Sequence, residues 1–81
     1  MYVAAVYCRP TGRHNWSLVG TVDGNPTEYP DPALEALQEK ARQRLYHDDR
    51  YDGAVDGRIA YLYCSSETAR ALDGQHNLPR R

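Results

Sequence analysis

The chain has 81 residues and a formal net charge of −1, with Arg outnumbering Lys nine to one. That length makes a single domain, and the near-neutral charge excludes a nucleic-acid binder that works by bulk electrostatics, because such domains carry a strong positive excess. No run approaches the roughly 18 apolar residues of a membrane-spanning helix.

A chain this short buries only about 60% of the surface it exposes when unfolded. Phe is absent, Met and Trp occur once each, and Tyr occurs seven times. The core must therefore be made of Val, Leu, Ala and Tyr. Each buried tyrosine needs a partner for its hydroxyl, so several are expected at the core margin with the ring covered and the hydroxyl wet. The Arg bias, with little Lys, Ile or Phe, fits a GC-rich genome of bacterial or phage type, which concerns codons and not function. The apolar start lacks the basic segment of a secretory leader. The expectation is a cytoplasmic protein whose two cysteines are free thiols.

In chain order, residues 2–8 form a strand with apolar side chains in both registers: Val3, Ala5 and Tyr7 on one face, Ala4, Val6 and Cys8 on the other. A strand covered on both sides is central in its sheet. Pro10, Gly12 and Asn15 mark a connection. Residues 16–22 alternate as a half-buried hairpin partner, with Trp16, Leu18, Gly20 and Val22 facing one way and Ser17, Val19 and Thr21 the other. Asp23-Gly24-Asn25-Pro26 is a turn, which leaves Thr27 to Tyr29 as a short third strand confined to an edge by its flanking prolines.

The spacing then predicts a helix over residues 32–47. Asp31 caps it and Pro32 occupies the first helical position without losing a hydrogen bond. Leu34, Leu37, Ala41 and Leu45 make one apolar stripe, and Glu35 and Glu39 precede Arg42, Arg44 and His47 as the helix dipole favours. The polar, acidic run 48–57 is a loop. Residues 58–64 form another strand with the pattern of an interior one, Ile59, Tyr61 and Tyr63 facing opposite to Ala60, Leu62 and Cys64. Ser65 or Ser66 caps a short helix over residues 67–72, with Gly74 as its terminating glycine. Residues 75–81 have little to bury and read as a flexible tail after a 1–74 domain. The predicted fold is α+β: a small, mainly antiparallel sheet of three or four strands, order β-β-(β)-α-β-α, with its helices mainly on one face.

Several strings carry chemistry on paper. Cys64, followed by five residues and Arg70 at a strand-to-helix junction, has the spacing of a phosphate-binding thiolate loop. Glu67 in mid-loop would repel an anion, however, and no glycine lets the backbone close around one. A thiol enzyme at Cys64 is thus the distant alternative to a strand-end cysteine before a capped helix. Cys8, His14, Cys64 and His76 lack the close spacing of a zinc site. A calcium loop beginning at Asp48 would put Arg50 and Ile59 at ligand positions. No metal or cofactor is expected.

Arg9, Arg13, His14 and Trp16 gather basic and aromatic groups on the first connection, a pattern able to bind single-stranded nucleic acid by stacking and phosphate contact. Tyr46 falls off the apolar stripe, and with Asp48, Asp49, Arg50, Tyr51 and Asp52 it gives an acidic, tyrosine-bearing segment suited to a basic protein partner.

From residue 2 to 64, the order of elements, Trp16 opening the second strand and the Asp31-capped helix reading Ala-Leu-Glu-Ala-Leu-Gln-Glu-Lys-Ala-Arg resemble the HicB-type antitoxin domain. The turn between strands reads Asp23-Gly24-Asn25-Pro26 where that family has Pro-Asp-Leu-Pro-Gly. The resemblance implies a non-enzymatic protein that binds and covers a toxin. The expected function is therefore non-catalytic binding and inhibition of a macromolecular partner, antitoxin-like or phage-inhibitor-like. The alternative is a nucleic-acid module at Arg9–Trp16. No membrane association is expected, and the reading leaves room for a homodimer.

Overall fold

The protein is described by a computed structural model covering residues 1–9, 15–24, 31–46 and 58–79, without the side chain of Tyr46. Its elements are β1 (Tyr2–Cys8), β2 (Ser17–Asp23), α1 (Pro32–Tyr46), β3 (Ile59–Ser65) and α2 (Ser66–Ala71). The strands form one sheet in the order β2-β1-β3, both pairs antiparallel, so the fold is α+β. The segment 27–29, read as a short edge strand, lies outside the described residues.

β1 is central because it is apolar in both registers. Val3 through Cys8 are all buried, and each face then needs its own cover. On one face Val6 and Cys8 pack with Val19 under Ala41 and Leu45 of α1, with Leu34, Leu37 and Ile59 alongside. On the other, Val3, Ala5 and Tyr7 pack with Trp16 and with Ala69 of α2, flanked by Leu18, Leu62, Cys64, Leu72 and Leu78. The expectation that both helices share a face is therefore corrected: they sandwich the sheet. A single helix cannot cover a strand that is hydrophobic on both sides.

A second correction concerns β2. Its register against β1 runs Ala4↔Val22, Val6↔Gly20, then Tyr7↔Leu18, so Val19 is the extra residue of a β-bulge. A bulge sets two residues against one and breaks the strict alternation. Gly20 and Val22 consequently join Val19 on the α1 side, while Leu18 stays with Trp16 on the α2 side. Gly20 makes room for α1 against the sheet: a Cβ there would lie 2.5 Å from Leu37 Cδ2.

The helix ends follow their sequence signals. Asp31 Oδ1 accepts from Leu34 N–H at 2.9 Å, the N-cap bond predicted for α1. Ser65, in extended geometry, accepts from Thr68 N–H at 3.1 Å and caps α2. Gly74 takes a φ of +83°, which a side chain would resist. After it the chain is held against β2. Gly74 N–H donates to Trp16 O at 2.7 Å, and Trp16 N–H donates to Gln75 O at 2.8 Å. Asp73 Oδ1 accepts from Leu18 N–H at 2.9 Å. Leu78 packs on the Trp16 cluster, an apolar contact that the reading of a tail with little to bury did not contain.

β3 was expected to be interior. It is instead the last strand of the sheet among the described residues, pairing with β1 alone, and α1 packs mainly over β1 and β2, with Ile59 as its apolar neighbour on β3.

Candidate binding face

Among the described residues, α1 covers only part of its own face of the sheet. Tyr61 and Tyr63 are register partners of Val6 and Ala4 and so point to the α1 side, as does Tyr2 by alternation along β1. The rings of Tyr2 and Tyr63 lie 5.3 Å apart, tilted by 49°. Tyr2 is 57% exposed and Tyr61 41%, and with Met1 they are the large exposed hydrophobic residues of the described chain. These three tyrosines form a band across one face of β1 and β3. The sequence reading assigned Tyr61 and Tyr63 to an interior strand and passed over them. The signal available was their i, i+2 spacing on a strand that follows a polar stretch of sequence.

The segment favoured from sequence for partner binding falls largely outside the described residues. Asp48, Asp49, Arg50, Tyr51 and Asp52 lie there, and so does the side chain of Tyr46, whose backbone ends α1. By sequence, this segment is the connection leading into β3.

Of the basic and aromatic group, Arg13 and His14 are likewise outside the described residues, while Arg9 and Trp16 meet. The Arg9 guanidinium carbon sits 4.6 Å from the Trp16 ring centroid, a cation–π stack. Trp16 is only 9% exposed and belongs to the core beneath α2. Its ring is thus packed against core on one part and arginine on another, which leaves a poor platform for a stacking base. Beside it a cleft of about 330 Å³ is lined by Arg9, Trp16, Ala60, Leu62, Leu78 and Pro79, among others.

The thiols lack the features of a nucleophile. Cys64 is part of β3, paired with Val3, and its surroundings push its pKa above the ordinary value because burial disfavours the thiolate. Burial also raises the Cys8 pKa, outweighing the pull of the nearby Arg44 guanidinium. Cys8 packs on the α1 face and Cys64 on the α2 face, so the two cannot converge on one metal ion. Among the described residues no group of three His, Cys, Asp or Glu side chains is gathered to hold a metal. The acidic residues weighed for calcium lie outside them. No helix among them is long and apolar enough to cross a membrane.

No family model matches the chain, and no curated protein or solved structure shows significant similarity to it.

Proposed function

We propose that the protein is a non-catalytic binder of a protein partner and that it docks through the tyrosine band of β1 and β3. The observation that carries this reading is the exposure of Tyr2 on β1 and Tyr61 on β3, beside Tyr63, on one face of the sheet. Tyrosine is favoured at interface hot spots because its rigid ring offers large apolar area with little conformational entropy to lose, and its hydroxyl supplies a hydrogen bond. The acidic segment with Asp48, Asp49 and Asp52 runs in sequence directly into β3, and its charge would steer a basic partner. The HicB-type resemblance points the same way, toward a toxin covered by this surface in the cytoplasm. A phage-encoded inhibitor would have the same physical role.

The nucleic-acid reading rests on the Arg9–Trp16 stack and would use Arg9, Arg13, His14 and Trp16. The burial of Trp16 ranks it second.

The test is capture from the source cells with the tagged protein. The Tyr61→Ser/Tyr63→Ser variant loses a stoichiometric protein partner that the wild type retains. Retention by that variant contradicts the reading, and recovery of nucleic acid lost on Arg9→Ala replaces it with the alternative.

A further inference from the structure

We draw no further inference here: the strongest candidate, the cleft of about 330 Å³ lined by Trp16, Leu62 and Leu78 on the α2 side of the sheet, carries nothing, because Arg9 and Tyr61 in its wall already make interactions within the chain and nothing in the structure shows what covers it.

Discussion

Tyr7 Oη donates a 2.7 Å hydrogen bond to the Ala69 carbonyl, tying the central strand to the second helix across 62 positions of sequence. Both residues are fully buried. The bond fixes α2 on a face of the sheet that α1 does not reach, and it answers the requirement that a buried tyrosine satisfy its hydroxyl. Tyr7→Phe strands the Ala69 carbonyl in the core, at a cost of about 1–3 kcal/mol. For a domain of this size, thermal melting registers that as a fall of roughly 4–8 °C per kcal/mol.

The same burial gives the protein an alkaline limit. The Tyr7 pKa is pushed from an ordinary 10.0 to about 12, first by burial and then by the proximity of Cys64 and Asp73. A group whose pKa is higher in the folded state stabilises the fold fully below its unfolded pKa, and that contribution is lost as pH rises through the folded value. The raised thiols of Cys8 and Cys64 act with the same sign, from their ordinary 9.0 upward. Denaturant titrations at a series of pH values should show stability level from pH 7 to 8 and declining from about pH 9 toward pH 12. In Tyr7→Phe the part of the decline above pH 10 is reduced; an identical decline in that variant would assign it to other groups.

The approach of α1 to the sheet at Gly20 is checked by a double-mutant cycle. Gly20→Val drives a side chain into Leu37, at a cost of about 1–3 kcal/mol from overpacking. Leu37→Ala opens that space, so the double variant is more stable than the sum of the single effects predicts. Additive effects would mean that the two positions do not touch.

Most of the fold was legible in the sequence where a local signal coincided with its tertiary role. Tyr2 to Cys8, apolar in both registers, could only be central. The Asp31 cap and the Leu34, Leu37, Ala41, Leu45 stripe gave α1 its start and its buried face. What escaped notice was set between elements. No local pattern announces the bulge at Val19, since its cause is the pairing with β1, and it turned the predicted faces of Gly20 and Val22. The placement of the helices on opposite faces was implicit in β1 but missed, because α2 contributes just one fully buried side chain, Ala69. The tyrosine band depends on where α1 stops covering the sheet, a matter of helix position and not of periodicity.

The apolar stripe of α1 has a direct test. Leu45, fully buried, becomes an unpartnered buried charge in Leu45→Asp, which should abolish cooperative unfolding; Leu45→Ala should cost about 2–5 kcal/mol. Glu35→Ala, on the exposed side, should change stability by less than about 0.5 kcal/mol. A cooperatively melting Leu45→Asp would mean that α1 packs through another face.

Cys64→Ser separates the binder from a thiol enzyme. With its thiol held above the ordinary pKa by burial, Cys64 has no role in the proposed function, so the variant should retain partner binding with a small loss of stability. Loss of function in a normally melting Cys64→Ser protein would restore the catalytic alternative.

The central claim, that β3 presents a protein-binding tyrosine face, is tested most directly by comparing what three folded forms of the protein capture from the source cells. Wild type, Arg9→Ala and Tyr61→Ser/Tyr63→Ser are immobilised at equal density, and bound material is quantified by mass spectrometry and ultraviolet absorbance. The account predicts one protein held stoichiometrically by wild type and Arg9→Ala and reduced at least tenfold on the tyrosine variant, the loss of roughly 1.4 kcal/mol or more of binding energy. Equal capture by all three, or nucleic acid held by wild type and lost on Arg9→Ala, would contradict it.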